Sequence, residues 1–204
     1  MKKTAQKGST SFIKRLERIH PHLMLIYMGI IGSSLLFLFL SLLFVVTAVQ
    51  QPAAINLPRS FAFSTAALLV SSYFAHQYLQ HFKNDRASEL SHSANALLIT
   101  GIAFAISQMI GWQELAANGT LFSGKTTGAY LYLLSGLHLA HLVGGLIFTL
   151  VQALSARNLK KDAVKALIIF TNPYELVKAR MLAVYWHFLD AVWLVLFVVF
   201  LILL

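Results

Sequence analysis

The sequence predicts an all-α integral membrane helix bundle with five transmembrane helices. Of its 204 residues, 58% are hydrophobic and only 11% charged, whereas a soluble domain carries about 25% charged residues. Several apolar runs approach or exceed the ~20 residues that cross a ~30 Å hydrocarbon core. The basic residues lie in short segments between those runs, where topology signals are found. The net charge of +9 is explained by that placement, and no nucleic-acid partner is expected. The sequence has no cysteine, which excludes disulfides, iron–sulfur clusters and thiolate metal sites.

Residues 1–21 form a basic tail, with an interfacial helix expected over 11–19. The tail lacks an early apolar core and a small-residue cleavage site, so no secretory signal is expected. Residues 22–204 form one transmembrane domain. Span one, 22–49, is nearly all Leu, Ile, Phe and Val, with Gly29, Gly32, Ser33 and Ser34 as small residues, and it ends at Gln50, Gln51 and Pro52. Span two, 59–82, follows Pro58; Ser60, Ser64, Ser71 and Ser72 are spread along it and His76 lies towards its end. A charged turn, 83–92, leads to span three, 93–115, which contains Gly101, Gln108, Gly111 and Trp112, with Trp112 and Glu114 as interface anchors. A Gly/Asn/Thr-rich loop precedes span four, 128–153. In the long connection 154–178, residues 162–170 are expected to lie as a short amphipathic helix on the headgroups, ended by Pro173. Span five covers 179–204.

Fourteen of the sixteen Lys and Arg lie on the N-terminal side of these five spans. Six are in the tail (Lys2, Lys3, Lys7, Lys14, Arg15, Arg18), two are Lys83 and Arg86, and six run from Arg157 to Arg180. Only Arg59 and Lys125 lie opposite. The positive-inside rule therefore puts the N-terminus in the cytoplasm and the C-terminus outside.

Ionisable groups inside the spans are costly and call for compensation. At a rise of 1.5 Å per residue, Asp190 lies roughly 15 Å from the inner end of span five and His141 roughly 18 Å from that of span four. His138 is one turn further out, and His187 lies nearer the cytoplasm. Trp186, Asp190, Trp193 and Phe197 share a stripe of span five, with His187 on its flank. Tyr130, Leu134, His138, His141 and Gly145 share a stripe of span four. Gly136, Ala140 and Gly144 repeat every four residues on another side, a packing motif that admits a second helix closely. Spans four and five are expected to pack together, with span four the most buried. The predicted structural cluster is His138, His141, His187 and Asp190, with His141 hydrogen-bonded to Asp190 and Trp186 and Trp193 filling the space around them.

A metal or haem site is the alternative, because His138-x-x-His141 and His187-x-x-Asp190 each offer an i, i+3 pair. Di-iron sites use several carboxylates and only Asp190 lies within the spans, so no metal site and no catalytic residue is assigned. A proton relay through these groups is too short to cross the bilayer.

The stretch Ser135-Gly136-Leu137-His138-Leu139-Ala140-His141-Leu142-Val143-Gly144-Gly145 resembles the Thr/Ser-Gly-x-His-x-x-His-x-x-x-Gly signature of cytochrome c oxidase subunit III. Tyr185-Trp186-His187-Phe188-Leu189-Asp190-Ala191-Val192-Trp193 is similar to that family's last helix, Tyr-Trp-His-Phe-x-Asp-x-Val-Trp. Weaker echoes are Leu57-Pro58 with Ala75-His76, and Gln108 with Trp112-Gln113-Glu114. The chain looks like the family's five-helix bacterial form. One departure is Gly32-Ser33-Ser34-Leu35, where the family commonly carries a buried Glu in a Ser-Glu-Val context; that residue's role is not carried over.

The resemblance implies a non-redox core subunit of a respiratory haem–copper terminal oxidase in the bacterial inner membrane, working in aerobic electron transport and proton translocation. It would contact subunit I directly, with subunit II and further subunits beyond, and would hold no cofactor itself. Haems and copper would belong to the partner subunits, and phospholipid is a candidate ligand. The alternatives are an accessory subunit of a nitric oxide reductase system, or a stand-alone metal or haem enzyme or transporter built on the His/Asp cluster.

Overall fold

The computed structural model describes residues 21–52, 55–122 and 126–204, and these form an all-α bundle of six helices. They are α1 (Pro21–Gln50), α2 (Arg59–Lys83), α3 (Ala87–Ala117), α4 (Thr126–Lys161), α5 (Ala163–Thr171) and α6 (Pro173–Leu203). The expected tail helix, the six basic residues of the tail and Lys125 lie outside the described residues. Four helices, α1, α3, α4 and α6, are long and apolar enough to cross a membrane. The 25-residue α2 is long enough but less apolar, because serines, glutamines and histidines interrupt it.

α2 packs on α3, α3 on α4, and α6 against α2 and α4; α1 lies across α4 and α6. The buried positions explain this arrangement. On α2 they include Phe61, Ser64, Leu68, Ser71, Ala75, Tyr78 and Phe82, and on α3 Leu90, Ala94, Leu97, Gly101, Phe104, Gln108, Gly111 and Leu115. These positions alternate between three and four residues, with Ser60, Ser91 and Ser93 buried beside them, which keeps one seam facing a neighbour in coiled-coil-like packing. α6 repeats it through Ala179, Leu182, Trp186, Leu189, Trp193, Leu196 and Phe200.

Two glycines set the closest approaches. A Cβ on Gly101 would sit 2.6 Å from the Trp186 ring, and one on Gly111 would overlap the Phe61 ring. Gly145 is tight against Tyr185 and Leu189, at 3.1 and 3.2 Å. The Gly136, Ala140 and Gly144 stripe turns the other way. Ala140 and Gly144 are exposed, and Gly136 has only ordinary contact with Trp112, at 3.7 Å. Among the four apolar spans α4 has the largest buried share, 39%, and α1 the smallest, 11%.

The helix ends follow local chemistry. Asp162 caps α5 by accepting from the backbone N–H groups of Val164 and Lys165, both at 3.1 Å. α5 buries no residue and exposes Val164, Leu167 and Ile168. Pro173 starts α6 and does not merely end what precedes it. Asn172 accepts from Tyr174 N at 3.0 Å, and proline at the first helical position has no N–H to leave unpaired. The last helix therefore begins six residues before the expected 179. Asp85 and Gly119 take positive φ, 56° and 78°, in the turns after α2 and α3.

Candidate functional site

The polar residues of α4 and α6 lie at three separate places. His138 is fully buried in the centre, with the rings of Trp193, Phe104 and Phe37 at centroid distances of 5.3, 5.5 and 6.3 Å. Neither of its ring nitrogens has a hydrogen-bond partner among the described residues. Trp193 anchors this nest by donating from Nε1 to Thr65 Oγ1 at 3.0 Å, and it packs edge-on against Phe61 and Phe104. Gln108, one turn from Phe104, donates from Nε2 to Ser64 Oγ at 2.8 Å.

His141 faces α1. Its Nδ1 lies 2.9 Å from the Leu137 carbonyl, which only accepts, so Nδ1 carries the proton and Nε2 accepts from Ser33 Oγ at 3.1 Å. Both ring nitrogens are thus engaged, and the expected His141–Asp190 hydrogen bond is not made. The depth estimate for His141 matched Asp190, but azimuth decided the outcome: His141 turns to α1 and Asp190 to α2.

Asp190 is buried, 5% exposed, and Oδ1 accepts from Ser71 Oγ at 3.4 Å. His187 Nδ1 lies 3.9 Å from Asp190 Oδ2 and 2.9 Å from Ser72 Oγ. Oδ1 is therefore met by Ser71 of α2, while the buried Oδ2 has no hydrogen-bond partner among the described residues and only the His187 ring nearby. Helices α4 and α6 do pack together, through Tyr185 Oη donating to the His141 carbonyl at 2.9 Å and Trp186 Nε1 donating to Thr149 Oγ1 at 2.8 Å. Trp112 Nε1 likewise donates to Ser135 Oγ at 3.0 Å, which ties α3 to α4.

His138, His141, His187 and Asp190 do not converge on one point. Among the described residues, no three His, Asp or Glu side chains come together in a metal-binding arrangement. The sequence reading missed the acceptors and donors Ser33, Ser64, Thr65, Ser71, Ser72 and Thr149. Their signal was present: Ser64, Ser71 and Gln108 fall on the three/four seam of α2 and α3, where a helix facing a partner carries its contacts.

Fold and site together define a polytopic helical membrane protein whose spans are joined by indole, imidazole and hydroxyl hydrogen bonds. No family model matches the chain. It is similar to the probable cytochrome c oxidase subunit 3 of Mycobacterium leprae, 31% identical over 102 residues, which is 50% of this chain and 46% of that protein. It is also similar to the probable subunit 3 of Nocardia farcinica, 26% identical over 150 residues (72% and 67%), and to cytochrome c oxidase subunit 3 of Bacillus sp. PS3, 27% identical over 136 residues (67% and 61%). The chain is thus a distant homologue of proteins named cytochrome c oxidase subunit 3. The match spans about half the length of the mycobacterial relatives.

Proposed function

We propose that this chain is a non-redox subunit of a respiratory haem–copper oxidase in a bacterial cytoplasmic membrane, corresponding to subunit III. The observation that carries this reading is where the motif residues lie. The two stretches that resemble subunit III supply the packed centre of the bundle, with Trp186, Trp193 and His138 fully buried. Such residues hold helices in place and offer no substrate an open site, so oxygen reduction belongs to partner chains bearing haem and copper. Direct contact with subunit I, and the assembly with subunit II and further subunits, are part of the proposal.

All of α1, α2, α3, α4 and α6 cross the membrane in this reading, as one domain from residue 22 onward. At 1.5 Å per residue, α2 reaches ~37 Å, enough to span. The basic end formed by Lys83, Arg86, Arg157, Lys160 and Lys161 then lies in the cytoplasm, and the C-terminus outside. α5 lies at the inner headgroups with Leu167 and Ile168 towards the acyl chains. A groove of about 380 Å³ between α1 and the α4–α6 pair, lined by Gly29, Ser33, Gly144, Phe148, Tyr185 and Phe188, takes a phospholipid chain. His138, His141, His187 and Asp190 act as structural polar groups.

Purification in mild detergent tests the reading. The tagged chain is expected to co-purify with a haem-bearing oxidase, while the separated chain shows no Soret band and no stoichiometric metal. Haem or metal retained by the separated chain would overturn it in favour of a stand-alone enzyme. Co-purification with a nitric oxide reductase would place the chain as that system's accessory subunit.

A further inference from the structure

Buried polar atoms without hydrogen-bond partners occur in two settings among the described residues. Both His138 nitrogens, Gln108 Oε1 and Asp190 Oδ2 are sealed in packed surroundings. Tyr78 and Gln152, 3% and 6% exposed, instead line a cavity of about 110 Å³ near the basic end of the bundle. Neither the Tyr78 hydroxyl nor the Gln152 amide has a hydrogen-bond partner among the described residues, yet both keep contact with the cavity. Tyr78 falls between Ala75 and Phe82 on the buried seam of α2, and Gln152 between Thr149 and Ala156 on that of α4. Helix periodicity therefore forces both polar side chains inward.

The start of α6 supplies the rest of the polar wall. Lys178 Nζ donates to Glu175 Oε1 at 2.7 Å, and the two side chains are only 32% and 21% exposed. This one carboxylate and one ammonium are already paired, so the cavity has no net charge with which to hold a free anion or cation. Tyr78 Oη, the Gln152 NH2 group and the remaining Lys178 N–H groups can donate, while Gln152 Oε1 and Glu175 Oε2 can accept. Interchanging the two ends of the Gln152 amide alters neither set. The guest must therefore be uncharged, donate as well as accept, and be small. Water meets all three conditions, and at ~30 Å³ each about three fill the space.

We infer that this cavity is a binding site for a small cluster of ordered waters, which joins Tyr78 of α2, Gln152 of α4 and the Glu175–Lys178 pair of α6 in one hydrogen-bonded network. Between Glu175 and Val184, α6 makes no direct side-chain hydrogen bond to another helix among the described residues, and its direct bonds start at Tyr185. The waters supply that missing link and clasp the inner end of α6 to α2 and α4. The site is independent of the oxidase-subunit reading and holds or fails whichever complex the chain joins.

X-ray hydroxyl-radical footprinting tests the site, because radicals made from a bound water oxidise the ring beside it. The full chain, with the partners it retains, is to be irradiated in phosphatidylethanolamine/phosphatidylglycerol nanodiscs and in delipidated detergent. Tyr78 is expected to be oxidised equally in both, whereas Trp186, an equally buried and reactive ring bonded to Thr149, stays unmodified. Tyr78 as silent as Trp186 overturns the water site. So does a Tyr78 protected in nanodiscs and oxidised only after delipidation, which would put a lipid headgroup in the cavity. Stability gives a second readout, of opposite sign for a wet and a dry cavity. Tyr78→Phe and Gln152→Leu strip partners from the waters, and each is expected to lower the folded-to-unfolded ratio about three- to tenfold. In a dry cavity the same substitutions remove an unsatisfied polar group and leave the ratio unchanged or raise it. An unchanged or raised ratio in both variants therefore overturns the water clasp.

Discussion

The α2–α3 pair and α1 are held in opposite ways. Between α2 and α3 the backbones approach through Gly111 and are fastened by side chains in the seam, Gln108 on Ser64 and Ser107 Oγ on the Ser60 carbonyl. α1 leans on the bundle through a few large rings, Phe37 on the histidines and Phe44 edge-on to Phe200 at 5.4 Å, with one side-chain hydrogen bond among the described residues, Ser33–His141. Both are apolar enough to meet lipid somewhere. What separates them is that lipid tails replace Leu–Leu contacts almost without loss, so helices are fixed in membranes by close packing and interhelical hydrogen bonds. α2 and α3 have both at one end, between residues 60–64 and 107–111, with the three/four seam continuing beyond it, and α1 has them at isolated points.

The contrast can be broken at its strong end first. Gly111→Leu drives a side chain into Phe61 and is expected to prevent stable folding, with a loss of about 3 kcal/mol or more by reversible unfolding in detergent. Trp186→Ala removes a fully buried indole, its bond to Thr149 and its contact over Gly101, and should cost about 3–5 kcal/mol in the same assay if the site does not collapse. Should Gly111→Leu melt like the wild-type chain, the α2–α3 seam is not where stability resides.

Smaller changes sharpen the comparison. Asp190→Asn keeps an acceptor for Ser71 and is expected to shift stability by no more than about 1 kcal/mol, and combining it with His141→Gln should give additive losses, since the two side chains serve different helices. A coupling energy above about 0.5 kcal/mol in that double-mutant cycle would reinstate the direct pair. Ser33→Ala removes the Ser33–His141 bond of α1 and is expected to cost about 0.6 kcal/mol, read as a small drop in midpoint. Phe39→Ala, on the exposed face of α1, should leave the isolated chain within about 0.5 kcal/mol of wild type.

The tryptophan stripe of the last helix was readable because 3.6-residue periodicity orders residues about one axis. Trp186, Asp190 and Trp193 are all buried, and His187 is exposed on the flank. Asp190's partner was not readable. Depth along an axis follows from counting, but which neighbour a side chain meets depends on how helices rotate against each other. Small residues misled for the same reason. Gly136, Ala140 and Gly144 form a regular stripe facing outward, whereas the closest contacts fall at Gly101 and Gly111, opposite Trp186 and Phe61.

The sequence alone determined an all-α chain rich in membrane-spanning helices, the basic end, the short capped helix near Asp162, and the subunit III resemblance. The first three follow from composition, charge order and local capping, which act over a few residues, and the resemblance rests on the motifs at 135–145 and 185–193. Tertiary structure alone decided that His141 serves α1, that Ser71 and Ser72 of α2 meet Asp190 and His187, and that Tyr78 of α2 and Gln152 of α4 line one cavity. Those outcomes depend on the azimuth of each helix in the bundle, which the collective fit of rings into glycine gaps sets and no single segment encodes.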